Sequence, residues 1–260
     1  MATVFDGRSF AALKEDDLKQ KVKKLVAQGK IPKLVSILVG DDPASVLYVN
    51  LKKRAAERIG CQLVIRRPRT DIGPDNLIAE IRKLNKDQSV NGIMVQLPLP
   101  GNFKDSSQDI INAIDPQKDV DGLRKDSPFL HPTSKAILQI IEEVNDGSNV
   151  CVVGSTGMVG RPLINELKRR GYQTSECDSN TKDLKDRTLA ADILVSVTGE
   201  NNLIKGNMVK EGAVVIDVGS PKGDVDFEKV APKVRFITPV PGGVGPVTIS
   251  CLLENLVKAA

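Results

Sequence analysis

Tyr48 and Lys52, four residues apart in SVLYVNLKKRAAERIG (45–60), carry the first chemistry this sequence can do. On a helix they share one face. A lysine whose stem packs on a tyrosine and whose amine is partly desolvated has its pKa lowered, and it can then exchange protons near neutrality. VQLPLP (95–100) adds an amide. A strand ending at Gln96, with Pro98 and Pro100 fixing the exit path, sets that amide at the carboxyl end of a parallel sheet, where ligands bind. In DPQKDVDGL (115–123), Asp119 and Asp121 flank Val120 ahead of Gly122. A carboxylate there could accept two N–H bonds from a heterocycle carrying an amine beside a ring N–H. Taken singly, each admits a plainer reading: a surface lysine, a rim glutamine, an exposed acidic turn.

A second chemistry is nucleotide binding. In CVVGSTGMVGRP (151–162) a strand runs through Gly154, Gly157 and Gly160 into a helix. Glycines let backbone approach a pyrophosphate, and a helix N-terminus offers unpaired N–H groups and a positive dipole end. The spacing is GxxGxxG rather than GxGxxG, so a bare structural turn is the alternative. Ser155, Thr156 and Val159 fill this loop. Asp178 follows the strand at 172–177, about where an acidic residue accepts hydrogen bonds from a ribose 2′-OH. With Ser179, and with Thr198 and Gly199 at the end of the strand at 192–198, these are the candidate cofactor contacts. FITPVPGGVGPVT (236–248) alternates Pro239, Pro241 and Pro246 with Gly242, Gly243 and Gly245. Fixed-φ and permissive residues at that density make a stiff loop that lets backbone approach a ligand.

The elements that must position these residues alternate between strand and helix. Strands are expected at 33–40, 62–68 and 92–100, with helices at 45–59 and 75–85. Continuous apolar strands between helices mean a parallel sheet covered on both faces. The run 115–135, with three prolines and many charges, reads as an inter-domain connection, followed by a helix at 134–144. Strands at 149–154, 172–177, 192–198 and 213–219, with a helix at 161–171, then form a nucleotide-binding series, and a helix at 248–259 ends the chain.

Composition narrows the classes. Hydrophobic residues make up 40% and aromatics 3%, with no Trp, so the cores must be built from Val, Ile, Leu and Ala. The net charge of +4 is spread along the chain, and its basic clusters sit in helix-like segments without an RNA-binding signature, so no nucleic-acid partner is expected. Cys61, Cys151, Cys177 and Cys251 form no CxxC pair, which argues against a metal site and a disulfide framework. No run of 18 apolar residues and no signal peptide is visible, so the expectation is a cytoplasmic protein with no membrane partner.

In collinear order, SxxYxxxK at Ser45, Tyr48 and Lys52, then VQLPLP, KDVDG, VGxP at Val159, Gly160 and Pro162, and TPVPGGVGP resemble the bifunctional methylenetetrahydrofolate dehydrogenase/cyclohydrolase family over nearly the whole chain. The resemblance implies oxidation of 5,10-methylenetetrahydrofolate with NADP, then hydrolysis of the methenyl product to 10-formyltetrahydrofolate. It implies an α/β substrate domain at 1–120 plus 246–260 and a Rossmann-type domain at 121–245, with the active site in the cleft between them. It makes Lys52 the proton-transfer residue, Tyr48 the residue that packs on folate and orients it, Gln96 its hydrogen-bond partner and Asp121 the anchor of the pterin edge. Pro241, Gly242 and Gly243 become substrate contacts, and a homodimer is expected. Three departures stand out. Ser155 replaces an Arg that helps hold the 2′-phosphate, which with Asp178 leaves NAD open beside NADP. His131-Pro132-Thr133-Ser134-Lys135-Ala136 replaces PCTPxG, and His131, the single histidine, reads as local structure. The stretch 217–227 is short, which trims a surface hairpin. Rival readings are a dehydrogenase without cyclohydrolase turnover, a non-catalytic folate- or nucleotide-binding protein, and a shikimate-type dehydrogenase.

Overall fold

The computed structural model describes residues 2–144, 147 and 149–260. In chain order the elements are β1 (Thr3–Val4), α1 (Gly7–Ala27), β2 (Lys33–Ile37), α2 (Pro43–Ile59), β3 (Gln62–Arg66), α3 (Gly73–Lys86), β4 (Gly92–Val95), α4 (Gly101–Lys104) and α5 (Ser107–Asn112). A short turn of 3-10 helix at Pro116–Lys118 leads to α6 (Pro132–Val144), β5 (Asn149–Val153), α7 (Gly160–Arg169), β6 (Gln173–Cys177), α8 (Leu184–Leu189) and β7 (Ile193–Ser196). After a second such turn at Gly206–Met208 come β8 (Val214–Asp217), α9 (Phe227–Val230), β9 (Phe236–Ile237) and α10 (Val244–Ala259). The chain divides into two α/β units. One is Ala12–Pro132 with Ile249–Ala260; the other is Thr133–Thr248 with the chain up to Ala11.

The first unit holds a parallel sheet in the order β3-β2-β4. Central β2 pairs Lys33 with Gln62 on one side and Leu34 with Gly92 on the other. Apolar strands fit because helices cover both faces. Leu18 and Val22 of α1, Ala55 and Ile59 of α2 and Leu252 and Leu256 of α10 close one core. Leu77 and Ile81 of α3 join Phe103 and Ile110 in the other. The chain leaves β2 for β3 on one side and returns to β4 on the other, so connections diverge at the carboxyl ends of β2 and β4, the geometry that opens a binding crevice.

The second unit holds a six-stranded parallel sheet in the order β1-β9-β8-β7-β5-β6. Here β5 is the strand from which connections diverge, toward β6 and then toward β7, and the glycine run follows directly from its carboxyl end. No helix among the described residues is long and apolar enough to cross a membrane.

Three features differ from the sequence reading. The split at 1–120 plus 246–260 and 121–245 shifts at every boundary. The first residues join the nucleotide unit, because β1 pairs with β9 through Thr3–Phe236 and Val4–Ile237. Residues 121–132 stay with the first unit, where the buried Asn255 Nδ2 donates to Val120 O at 2.9 Å and Leu130 O at 3.0 Å. Helix α10 starts at Val244, inside the Gly/Pro run. Pro246 is tolerated as its third residue, where the N–H has no intrahelical partner anyway. The 21-residue helix α1 was not anticipated from the sequence.

Asn255→Ala leaves one buried and one half-buried carbonyl without this donor and is expected to cost about 1–3 kcal/mol, the range for an unsatisfied buried acceptor. The denaturant midpoint of the purified variant measures it, and an unchanged midpoint would show that the 120–130 connection is held elsewhere.

Candidate active site

Helix α2 is framed at both ends by local chemistry. Asp42 accepts the Ser45 N–H at 2.8 Å, Pro43 occupies the first turn, and Gly60 closes the helix in the left-handed region at φ 88°. That frame fixes which residues face inward. Ser45 and Val49 are buried, while Tyr48 and Lys52 are half-buried on the adjoining face. The Lys52 Nζ donates to Gln96 Oε1 at 3.0 Å and lies 3.9 Å from Met94 Sδ. Gln96 follows β4 directly. Its backbone N–H donates to Ile37 O at 2.8 Å, and its Nε2 donates to Leu97 O at 2.8 Å. This second bond commits the amide nitrogen and turns the oxygen toward Lys52.

Burial pulls the Lys52 amine below the usual lysine range, and the charge of Asp121 opposes that fall. The amine is thus desolvated beside a neutral acceptor and within reach of one anion. Such an amine can give up and take back a proton.

The connection bearing Asp119 and Asp121 is wound tightly rather than strung out as a linker. Asp119 is fully buried, its Oδ2 accepts the Arg124 N–H at 2.9 Å, and its carbonyl accepts from Gly122 N at 3.0 Å and from Ser127 Oγ at 3.1 Å. Burial pushes its carboxyl above the usual range, and Asp121 adds to that. Asp121 stays half-buried and accessible. His131, read from sequence as local structure, lies in the same electrostatic neighbourhood. Burial lowers its imidazole, Asp121 raises it and Lys52 lowers it further. Nothing in the residue's own sequence context signals this, because the ten-residue separation from Asp121 is bridged by the distant Asn255 and by backbone packing at Gly122. The structure therefore gathers Lys52, Gln96, Asp121 and His131 in one unit, with Tyr48 on the Lys52 face of α2.

In the nucleotide unit the glycine run is folded back on β6, with Gly154 N and Ser155 N both donating to Cys177 O, at 2.8 and 3.0 Å. Gly154 sits at φ 91°, and a Cβ there would lie 2.7 Å from Val197 O. A Cβ on Gly160 would lie 2.2 Å from Gly154 O. Gly157 has only ordinary contact, its nearest atom 3.4 Å away. So Gly154 and Gly160 are demanded by close packing of strand end, loop and helix, and the resulting turn presents backbone at the start of α7, a cradle that suits a dinucleotide phosphate. Ser155 is buried; Thr156 and Gly157 are exposed. Asp178 Oδ1 accepts from Asn180 N at 2.9 Å and Thr181 Oγ1 at 3.3 Å, which folds the loop after β6. Ser179 is exposed beside it. Arg161 Nη2 donates to Thr156 O at 3.3 Å.

Thr198 is anchored by a residue that sequence reasoning missed. Both its N–H and its Oγ1 donate to Asp224 Oδ2, at 2.7 and 2.9 Å, and Ser196 Oγ donates to the same oxygen at 2.9 Å. Asp217 accepts the backbone N–H groups of Gly219, Asp224 and Val225. The short stretch 217–227 therefore forms a buried carboxylate network beneath Thr198. Pro241, Gly242 and Gly243 also belong to this unit. A Cβ on Gly7 would lie 1.8 Å from Gly243 O, so the start of α1 seats directly on that turn. All four cysteines are buried and none forms a disulfide.

Residues 5–121 match the family model described as the tetrahydrofolate dehydrogenase/cyclohydrolase catalytic domain, and residues 131–260 match its NAD(P)-binding domain. The chain is 40% identical to the bifunctional protein FolD of Helicobacter hepaticus over 99% of its own length and 96% of that protein's. The crystal structure of the bifunctional enzyme FolD, methylenetetrahydrofolate dehydrogenase/cyclohydrolase, from Campylobacter jejuni superposes with a TM-score of 0.94 at 38% identity, covering 100% of this chain and 98% of that one. The Trypanosoma brucei dehydrogenase-cyclohydrolase, complexed with NADP and an inhibitor, superposes at 0.93 with 31% identity, covering 99% and 97%.

Gly160→Ala tests the packing of the loop. Its Cβ cannot coexist with the Gly154 carbonyl, so the loop must open and nicotinamide cofactor binding should weaken by roughly tenfold or more, given about 1–3 kcal/mol for overpacking. Gly157→Ala should leave binding nearly intact. Equal losses in a cofactor titration of the two variants would contradict this distinction.

Proposed function

The chain belongs to the tetrahydrofolate dehydrogenase/cyclohydrolase family, and from that premise we propose which of its side chains carry the chemistry. It is a bifunctional enzyme of one-carbon folate metabolism, a methylenetetrahydrofolate dehydrogenase and methenyltetrahydrofolate cyclohydrolase, with NADP as cofactor. A homodimer and a cytoplasmic setting are carried over from the family as part of the same proposal.

The observation that carries the assignment is the Lys52–Gln96 hydrogen bond under desolvation. NADP, when bound, supplies the hydride acceptor for the first step, and the glycine cradle at Gly154 and Gly160 holds its phosphates. That step asks the protein chiefly to align two rings, so no nucleophile is needed. In the second step water adds to the methenyl carbon and Lys52, as the free amine, takes its proton. The new hydroxyl then loses its proton as the bond from that carbon to one ring nitrogen breaks, a proton goes to that nitrogen, and the formyl group remains on the other. Gln96 aims the amine without adding charge, Tyr48 packs on the folate and limits the path of Lys52, and Asp121 accepts the N–H pair of the pterin edge. Pro241, Gly242 and Gly243 supply further substrate contacts from a stiff turn.

Cofactor preference has its own local chemistry. Ser155 brings no cation, and Asp178 places a carboxylate after β6, which disfavours a 2′-phosphate. Arg161 and Lys182, both exposed in the neighbouring loops, can offset that charge. NADP is therefore held with weaker discrimination against NAD than an arginine in place of Ser155 would give.

Two tests follow. Lys52→Met preserves apolar volume beside Met94 and should leave the chain folded. It should reduce hydrolysis of the methenyl cation by more than ~100-fold, in keeping with general acid–base contributions, while dehydrogenase activity persists. In the wild type only the free amine accepts the proton, so hydrolysis should rise with pH through one ionisation that the variant lacks. Near-normal hydrolysis in Lys52→Met would remove the assignment. For the cofactor, Asp178→Ser should raise the NADP-over-NAD ratio of kcat/KM several-fold. An unchanged ratio would mean that Asp178 serves only the fold of its own loop.

A further inference from the structure

We propose that His131 is a positioning residue of the folate site, whose imidazole holds Asp121 and so sets how much of that carboxylate's charge reaches the Lys52 amine. The inference rests on the roles assigned above to Lys52 and Asp121.

The backbone brings the two residues together. One buried amide, Asn255, donates to Val120 O at 2.9 Å and to Leu130 O at 3.0 Å, so the residues that follow, Asp121 and His131, leave the same anchor. Gly122, at φ 62°, then packs against the second strand of chain so closely that a Cβ would lie 2.6 Å from Phe129 O and 2.8 Å from His131 N. On its other side His131 is followed by Pro132, the first residue of α6. The backbone that carries the imidazole is thus held by close packing rather than left on a free loop. The charged groups acting on it are Asp121, from the connection beside it, and Lys52, from α2. Asp121 in turn interacts with the buried Asp119.

The site therefore holds one accessible anion and two bases. If Asp121 paired outright with Lys52, the lysine would be locked as an ammonium ion and could not accept a proton from water. Lys52 instead has Gln96, a neutral partner. A neutral imidazole has one N–H to donate, and donating it to Asp121 occupies part of the carboxylate while leaving acceptor sites for the pterin. Burial and the neighbouring Lys52 both favour the uncharged imidazole, which adds no second cation next to Lys52. Removing it releases the charge of Asp121 onto the lysine, which raises the amine's pKa and moves the onset of hydrolysis to higher pH.

The chain contains a single histidine, so its imidazole can be followed by NMR in the intact enzyme without assignment by mutation. The imidazole titration should move upward in Lys52→Met, which removes a cation, and downward in Asp121→Asn, which removes an anion. In His131→Ala the rising limb of cyclohydrolase kcat/KM should shift to higher pH, with NADP binding unchanged, and His131→Asn, which restores a donor, should bring the limb back toward the wild-type position. A merely structural histidine would lower the plateau without moving the limb. An imidazole titration indifferent to both neighbouring variants, or a limb unmoved in His131→Ala, overturns the proposal. Should His131→Ala not fold, the imidazole titration in the two neighbouring variants decides alone. If Lys52→Met hydrolyses normally, the role of Lys52 has failed. If it is inactive but the imidazole does not respond, only the role of His131 has failed.

Discussion

A lysine amine that must accept a proton near neutrality has to be taken out of water and yet keep one polar partner, and the catalytic unit is organised around meeting both conditions at Lys52. A carboxylate as direct partner would satisfy the hydrogen bond and defeat the chemistry, because an opposite charge at contact favours the ammonium form. Gln96 satisfies the bond without the charge. Its usefulness depends on its orientation, since an amide turned the other way would present N–H groups to a donor. The bond from Nε2 to Leu97 O removes that freedom. The position of Gln96 depends in turn on β4, whose pairing with β2 carries on through the Gln96 N–H to Ile37 O. The position of Lys52 depends on the register of α2, set by the Asp42 cap and the Gly60 terminus.

The nucleotide unit is governed by a different constraint, the distance of closest approach between backbones. Two of the three glycines in its loop sit where any side chain would strike a carbonyl, and the third does not. The cradle is thus a consequence of strand, turn and helix being packed without side chains between them. The same economy recurs where Gly7 meets the turn at Gly242 and Gly243. Beneath Thr198 the constraint is electrostatic. Asp217 accepts three backbone N–H groups that would otherwise be buried without partners, and this closes a stretch too short to form a paired hairpin.

Much of this was legible in the sequence, for physical reasons. Apolar runs such as KLVSI and NVCVV can exist only as covered parallel strands, and both do. Spacing places Tyr48 and Lys52 on one helix face and Gln96 at a strand end; that the lysine and the amide pair is implied only by the family resemblance, and Lys52 Nζ does donate to Gln96 Oε1. What was not legible depended on contacts made far along the chain. Strand β1 is two residues long and has no periodicity; only its pairing with β9 shows where it belongs. Helix α1 is rich in lysine and weakly patterned, with Leu18 and Val22 finding their core partners in α2 and α10. The start of α10 was hidden by prolines and glycines that normally announce a loop. His131 reads from sequence as local structure because its neighbours say nothing about Asp121; part of the tie runs through Asn255, more than a hundred residues away.

The two acids of KDVDG show how close neighbours can be driven to opposite ends of this scale. Asp119 and Asp121 are separated by Val120, itself buried in the core. Asp119 is drawn inside, where its carboxylate and carbonyl accept three bonds from the following turn, and burial raises its pKa. That cost is tolerable because the carboxylate holds Arg124 while the carbonyl holds Gly122, and with them the turn that returns the chain to Phe129 and His131. Asp121 is left half-buried, able to meet a ligand. A single acid could not do both. If it were buried deeply enough to hold the turn it would lose access to substrate and much of its charge. If it were exposed enough to bind, it could not fix the backbone on which its own aim depends. The structural acid also lies close enough to disfavour a second charge beside it. Asp121 therefore gains from a neutral donor nearby, which meets its charge without locking Lys52 as an ammonium ion.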